Sequence, residues 1–209
     1  LEFDPLPHPQ LRGFYFGHDR ERAEFPAFEL ATPRTDAQGR ATITGAVPDP
    51  GALTRPLRAV ARVAVLEPGG RATAEAASFA VRGAPVQLGL RPLFAPARSW
   101  WDGAERPTTP WDSTARFELV AVDAEGRRIA VPGFEWRLVR EESLWNWVRG
   151  GNGAWSFEEV VRERVVASGR GGIEADRFAE IAADVAWGRY RMQASVPGME
   201  RAQAAVSFQ

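Results

Sequence analysis

Apolar side chains recur at every second position in short segments along this chain, and Gly or Pro turns separate the segments. Residues 117–121 place Phe, Leu and Ala at alternate positions, and residues 134–138 do the same with Phe, Trp and Leu. A period of two residues is typical of an antiparallel strand with one buried face. No segment combines a helical period with a helical length. The pattern therefore predicts an all-β fold.

The distribution of aromatic residues predicts two domains. All eight Trp lie between Trp100 and Trp187. The sequence Arg-Gly-Ala-Pro at 82–85 interrupts two apolar runs and is the best candidate boundary. We therefore expect β-sandwich domains at residues 1–83 and 84–209. The second has candidate strands at 86–94, 115–122, 133–148, 155–168, 173–183, 188–195 and 202–208, the number expected of an Ig-like or fibronectin-like sandwich.

The first domain is predicted to be incomplete. Residues 57–66 and 71–81 form a strand–turn–strand pattern about Glu-Pro-Gly-Gly. Residues 42–44 (Thr-Ile-Thr) suit a strand after the Asp36–Gly39 turn, and a similar Asp-x-x-Gly turn recurs at 123–126. About four strands fall short of the roughly seven in such a sandwich. Residues 45–56 are predicted to be a connection, and residues 95–114, with three Pro and three Trp, an ordered surface loop or insertion.

Composition argues against several functions. The 209 residues carry 26 basic and 27 acidic side chains, a net charge of −1, which disfavours electrostatic binding of nucleic acid. There is no Cys, so thiol nucleophiles and Cys metal sites are excluded. No apolar run reaches the roughly 18–20 residues of a membrane span. We expect no membrane contact from this segment.

No residue pattern indicates catalysis or a cofactor. His8 and His18, the two His, lack metal-spaced companions, and His8 is expected on the surface. The adjacent carboxylates at 141–142 and 158–159 would point to opposite faces of a strand. The Gly-Gly-Asn-Gly sequence at 150–153 lacks the Lys and helix of a phosphate loop, and predicts a hairpin tip. We therefore expect no enzyme and no metal.

Four aromatic residues flank that tip: Trp145, Trp147, Trp155 and Phe157. A tip centred on Gly151 would place Trp147 opposite Trp155 and Trp145 opposite Phe157, and such cross-strand pairs stabilise a hairpin by roughly 0.2–1 kcal/mol each. The cluster could pack on its own sandwich, contact a neighbouring domain or stack sugar rings. Our hypothesis is an interdomain contact, with a carbohydrate-binding or adhesive module as the alternative.

The parity of the strand at 133–148 changes before the cluster. Its inward residues are even-numbered, whereas Trp145 and Trp147 are odd-numbered, and one unbroken strand cannot turn both sets toward one core. Either a bulge between Arg140 and Leu144 resets the register, or the hairpin extends past the sandwich. We favour the extension, covered by residues 95–114 or by a neighbouring domain.

The sequence Gly188-Arg189-Tyr190 begins a late strand and predicts a structural corner. In Greek-key sandwiches a Tyr hydroxyl bonds the backbone across such a corner. We expect Tyr190 to be buried, with its hydroxyl bonded near residues 184–187, and Trp187 to fill the core.

Several motifs follow one another along the chain: Gly13-Phe14-Tyr15-Phe16-Gly17, Thr35-Asp36-x-x-Gly39-Arg40, Thr54-Arg55-Pro56-Leu57, Glu67-Pro68-Gly69-Gly70-Arg71, Leu90-Arg91-Pro92-Leu93-Phe94, the segment from Phe117 to Gly126, Trp136-x-Leu138-Val139-Arg140 and Trp187-Gly188-Arg189-Tyr190-Arg191. In this order they resemble those of the bacterial α2-macroglobulins, in the stretch of their fifth and sixth macroglobulin-like domains.

The resemblance implies tandem macroglobulin-like β-sandwiches within a large periplasmic protein, typically a lipoprotein of the inner membrane, that traps proteases. A protease cuts a bait region, and a Cys–Gln thioester then tethers it. This chain has no Cys and begins without Met, so we expect a scaffold segment of a longer protein. Its partners would be neighbouring domains and, through the parent protein, target proteases.

Overall fold

A computed structural model describes residues 1–5, 7–67, 69–81, 84–98, 103–149, 151, 153 and 155–209, with Glu158 as backbone only. Within these residues the chain forms thirteen strands and no helix. The all-β prediction is confirmed. The first four strands are β1 (Glu2–Phe3), β2 (Tyr15–His18), β3 (Leu57–Leu66) and β4 (Ala72–Val81). The remaining nine are β5 (Gln87–Pro92), β6 (Pro96–Arg98), β7 (Glu105–Pro107), β8 (Ser113–Val122), β9 (Val131–Arg149), β10 (Trp155–Ile173), β11 (Ala179–Val185), β12 (Arg189–Ser195) and β13 (Gln203–Phe208).

Eight strands make the main sandwich, in the order β10-β9-β12-β13-β2-β5-β8-β11. All neighbours are antiparallel except β13 and β2, which are parallel. Strands β10, β9, β12 and β13 form one layer, and strands β2, β5, β8 and β11 form the other. The core between them is apolar: Leu88, Leu90, Phe117 and Leu119 from one layer meet Leu138, Met192, Ala204 and Val206 from the other.

Strand β2 comes from the first half of the sequence yet lies inside the second-half sandwich. It pairs with β5 through Tyr15 and Phe16, and with β13 through Gly17 and His18. It therefore joins the two layers along one edge. The outer face of β8 is also covered from this side, because Val120 and Val122 are fully buried against Leu11 and Phe16.

The rest of the first half forms a sheet of three strands, β1-β3-β4. Before residue 82 the described chain thus has four strands, consistent with the expected shortfall. The hairpin of β3 and β4 pairs Leu57 with Val81 through to Leu66 with Ala72, as the sequence predicted. The strand predicted at 42–44 is wrong, because residues 26–49 are exposed throughout and form no strand. A Thr-Ile-Thr sequence forms a strand only where a neighbouring strand pairs with it, and none does here in the described chain.

The two predicted Asp turns adopt the same geometry. The Asp36 carboxylate accepts the amides of Gln38 (2.9 Å) and Arg40 (2.8 Å). The Asp123 carboxylate likewise accepts the amides at 125 (3.0 Å) and 127 (2.9 Å). Gly39 and Gly126 close the turns at φ 76° and 79°. Desolvation raises the pKa of Asp123, but hydrogen bonds from Arg127 and the amide at 125 outweigh it and leave this pKa below its ordinary value.

Three other expectations need correction. Residues 95–114 contain a small hairpin, β6 and β7, besides irregular chain. The strand predicted at 155–168 continues to Ile173, and the one predicted at 173–183 begins at Ala179, because bends at 175–177 separate them. His8 is not a solvated surface residue: its Nε2 lies 2.9 Å from Oε1 of Gln87, and its ring packs edge-on against Phe16. The boundary residues Arg82 and Gly83 lie outside the described residues, so the division at 83 stays a prediction.

Candidate interaction surface

The hairpin of β9 and β10 extends beyond the sandwich. Each strand has 19 residues, but β12 pairs with β9 only from Glu135 to Glu141. Past that point residues 142–149 and 155–162 pair with each other, and neither is paired with a third strand. We call this two-stranded projection the aromatic ribbon.

Parity explains why the ribbon projects its aromatics away from the core. The pairing along β9 is unbroken from Val139 to Arg149. The register shifts lie outside this stretch, between the pairs Val165–Val139 and Ala167–Leu138 and between the pairs Gly171–Phe134 and Ile173–Val131. Leu138 therefore points into the core while the odd-numbered Trp145 and Trp147 lie on the opposite face. Of the two explanations from sequence, the extension is confirmed and the bulge between Arg140 and Leu144 is wrong.

The cross-strand pairs differ from the prediction by two residues. Phe157 lies opposite Trp147, Trp145 lies opposite Glu159, and Trp155 lies opposite Arg149. The pair nearest the tip is thus Arg149 with Trp155, so the predicted register about Gly151 is wrong; residues 150, 152 and 154 lie outside the described ones. Three of the rings still form one cluster: the centroid of the Phe157 ring lies 4.2 Å from that of Trp147, edge-to-face, and 6.0 Å from that of Trp145.

The four ribbon aromatics are open to solvent. Trp145, Trp147, Trp155 and Phe157 are 59%, 63%, 62% and 52% exposed. The predicted cover from residues 95–114 is not found in the described part: Trp111 is itself 74% exposed, and Trp100 and Trp101 lie outside it. An exposed aromatic face of this kind is uncommon on a monomer and makes the ribbon the candidate interaction surface.

Charged side chains fix the base of the ribbon on the same face. Glu141 is buried and accepts two hydrogen bonds from the Arg20 guanidinium, both at 2.8 Å. Arg191 lies 3.5 Å from Glu141 and donates to Glu163 at 2.6 Å. Arg189 donates to Glu159 at 3.1 Å. Charge-assisted bonds thus connect β10, β9, β12 and the segment after β2.

The corner residues lie in different environments. Tyr190 is buried, and its ring stacks on Phe208 at 5.6 Å. Among the described residues the hydrogen bond at this corner comes from Arg140, which donates to the Trp187 carbonyl at 3.3 Å, and not from the Tyr190 hydroxyl. The expectation that Trp187 fills the core is wrong, since it is 78% exposed. After the bend at Gly188, the even-numbered residues of β12 face the core. Residue 187 is odd-numbered and precedes the bend, so its side chain faces solvent.

The described side chains contain no cluster of His, Asp or Glu that could hold a metal ion. Glu141 and Glu142 diverge as expected: Glu141 binds Arg20, whereas Glu142 lies 3.6 Å from Arg140. The Glu158 side chain lies outside the described ones, so the pair at 158–159 stays untested. No described helix is long and apolar enough to cross a membrane.

Sequence reasoning missed the segment around β2. Its four residues are too few to show a period, and its partners lie far away in sequence. One signal was available: Val120 and Val122, on the outward face of β8, are as apolar as the inward residues and require a cover.

The fold is that of macroglobulin domains. The chain matches the model of bacterial α2-macroglobulin MG5 domains over residues 3–82 and that of bacterial macroglobulin domain 6 over residues 89–209. It therefore belongs to the bacterial α2-macroglobulin family, as the motifs in the sequence indicated.

Individual relatives agree with this assignment. The chain is 30% identical to Escherichia coli (strain K12) α2-macroglobulin over 149 residues, which are 68% of this chain and 9% of that protein. The native E. coli protein, seen by cryo-electron microscopy, superposes on 99% of this chain with a TM-score of 0.77 at 24% identity, over 13% of its own length. The E. coli protein activated by porcine elastase gives 0.73 at 25% identity, with 99% and 18% coverage.

Proposed function

We propose that this chain is a non-enzymatic scaffold within a larger protease-trapping α2-macroglobulin. The observation that carries the proposal is the consecutive match to domains five and six, together with a sandwich that both halves of the chain build. The chain spans 9% of the length of its E. coli relative, so trapping would belong to the parent protein and the chain would set distances within it. Target proteases would then be partners of the parent, in the periplasm.

The aromatic ribbon supports a specific role for the scaffold. A projecting two-stranded element with four exposed aromatics and a fixed charged base can reach a neighbouring domain without disturbing the sandwich. Aromatic residues dominate the energy of protein interfaces when they enter a desolvated pocket. We propose that the ribbon contacts a neighbouring domain of the parent.

The test is a trapping assay on the full-length protein. The variant Trp147→Ala/Phe157→Ala removes the central ring pair, and truncating such interface residues costs about 2 kcal/mol or more, so the rate of trapping should fall about tenfold or more. The readout is the fraction of porcine elastase still able to digest a large protein substrate after incubation.

The matched control is Trp111→Ala, which removes an exposed Trp outside the ribbon. It should trap elastase like the wild type. Equal trapping by the ribbon variant and the wild type would contradict the interdomain contact, and a full-length wild-type protein that leaves elastase free would contradict the scaffold proposal itself.

One observation favours a second candidate, a carbohydrate-binding or adhesive module. The four ribbon aromatics are exposed in the described chain, as a sugar-stacking platform must be. Titration with oligosaccharides and peptidoglycan fragments, followed by Trp fluorescence, separates the candidates. A saturable shift that Trp147→Ala abolishes would favour this module over the interdomain contact.

A further inference from the structure

Strand β2 occupies a groove between the two layers of the sandwich. On one side Tyr15 and Phe16 lie opposite Leu90 and Gly89 of β5. On the other, Gly17 and His18 pair in parallel with residues 204–205 of β13. A strand paired on both edges is held by main-chain hydrogen bonds in the manner of β-strand addition.

Beside this groove, on the outer face of β5 and β8, lies a slot for one aromatic side chain. Phe16 is buried against Val120 and Val122, and its ring covers Gly89. A Cβ added at Gly89 would lie 2.8 Å from that ring, so the missing side chain makes the space that the ring fills. This pairing of a ring with a glycine selects an aromatic residue at position 16.

Polar contacts extend the docked segment on either side of β2. The Asp19 amide donates to the Ala205 carbonyl at 3.0 Å, and the Asp19 carboxylate accepts the Ser207 amide at 2.8 Å. Arg20 then binds Glu141 through both carboxylate oxygens. Upstream, His8 contacts Gln87 and Leu11 is buried.

The middle of the connection between β2 and β3 makes little contact with this docked segment. Residues 26–49 are exposed and form no strand, so they add little to its binding. The ends of the connection meet again, because the Glu21 carboxylate accepts the amides of Thr54 (2.9 Å) and Arg55 (2.8 Å). Gly17, at φ 73°, lies directly beneath this crossing, where an added Cβ would be 2.5 Å from the Arg55 nitrogen.

We propose that the groove between β5 and β13 is a strand-binding site and that residues 8–21 are its ligand, bound tightly enough to stay when the connection is cut. The site fits an extended segment with an aromatic residue, then Gly, then an acid and an Arg. The two halves of the chain are therefore joined twice, once covalently and once through this strand.

The test cuts the connection in the full chain. The recognition sequence of a site-specific protease is inserted after Gly39, in the exposed turn where added atoms meet nothing. After cleavage, the N-terminal and C-terminal fragments should co-elute in size-exclusion chromatography at micromolar concentration and separate in denaturant. Because Phe16 is buried, removing its ring by Phe16→Ala should release the N-terminal fragment on the order of 100-fold faster or more.

Two further variants keep the test decisive. Phe28→Ala lies on the same fragment but is 54% exposed, and it should behave like the wild type. Gly89→Ala, on the other fragment, fills the slot with a methyl group and should also speed release. It replaces Phe16→Ala in the test if the Phe16→Ala variant fails to fold. Separation of the wild-type fragments on cleavage, or retention by both slot variants at the wild-type rate, would overturn the proposal. So would an uncut dimer in which each copy supplies β2 to the other.

Discussion

Glu141 is buried although it carries a charge. Its side chain is 3% exposed, whereas that of its partner Arg20 is 51% exposed. Burial of a carboxylate is tolerated only when hydrogen bonds or opposite charges replace its water; here Arg20 donates the hydrogen bonds and Arg191 adds an ion pair at 3.5 Å. Because Arg20 directly follows β2, the Glu141 carboxylate on β9 is neutralised by Arg20 only when β2 is in its place in the sandwich.

The variant Glu141→Gln should therefore destabilise the chain. Loss of the charge weakens the hydrogen bonds that Nη1 of Arg20 donates to both carboxylate oxygens at a buried site. We expect a drop of about 1–3 kcal/mol in the free energy of unfolding, measured by urea titration. The control is Glu142→Gln, whose half-exposed pair with Arg140 should contribute less than about 1 kcal/mol. Equal drops in the free energy of unfolding for the two variants would show that burial of Glu141 does not strengthen its contribution to stability.

Tyr15 makes the stability of the chain sensitive to alkaline pH. Burial raises the pKa of the Tyr15 phenol, and the nearby Asp19 charge raises it further. The unfolded chain then ionises first, so the stabilisation is complete below about pH 10, the ordinary pKa of Tyr, and is lost as pH rises through the folded pKa.

The expected result is a melting temperature that falls above about pH 10 in the wild type and falls less in Tyr15→Phe. Thermal melts followed by circular dichroism over this pH range provide the measurement. Identical pH profiles of the two proteins would assign the alkaline loss to other groups.

At the scale of elements, β9 and β10 each change character along their length. Their inner parts lie in a four-stranded layer, and glycines on β10 make room there for rings on β9: Trp136 covers Gly169 and Phe134 covers Gly171. Their outer parts form the aromatic ribbon, whose stability depends on its own cross-strand contacts. An isolated two-stranded hairpin is at best marginally stable in water.

Hydrogen exchange should reveal this division. The amides of residues 142–149 and 155–162 should exchange about tenfold or more faster than those of 131–141 and 163–173, because local opening of two strands costs less than opening a packed sheet. Mass spectrometry of the full chain measures both sets. Equal protection would mean that the ribbon is covered in solution, and Phe157→Ala should increase exchange in the ribbon alone.

Within the whole molecule, periodic strands could be predicted and the joining of the layers could not. Residues 57–66 are rich in β-branched residues before a turn and residues 117–121 alternate, and both lie in strands at nearly the predicted bounds. The ribbon aromatics were found by spacing, but their pairing depends on the length of the tip, which composition does not determine. The exposure of Trp187 depends on the bend at Gly188, and the sequence pattern around it does not predict that bend.

The position of β2 is beyond local reasoning for a physical reason. Its partners lie more than 70 residues away on one side and more than 180 on the other, and only tertiary packing brings them together. The apolar outer face of β8 indicates that some segment must cover it. It does not say which segment, because Leu11 and Phe16 are two of many apolar residues in the first half.

The parallel pairing of β2 with β13 has a consequence for synthesis of the chain. Asp19 and Ser207, which bond each other at this seam, are separated by 188 residues. At about 5–20 residues per second a ribosome needs about 10–40 s to make that interval. Throughout it β2 has been made but its parallel partner β13 has not. The sandwich can close only after β13 emerges, so the last step of folding is a long-range one and should be slow.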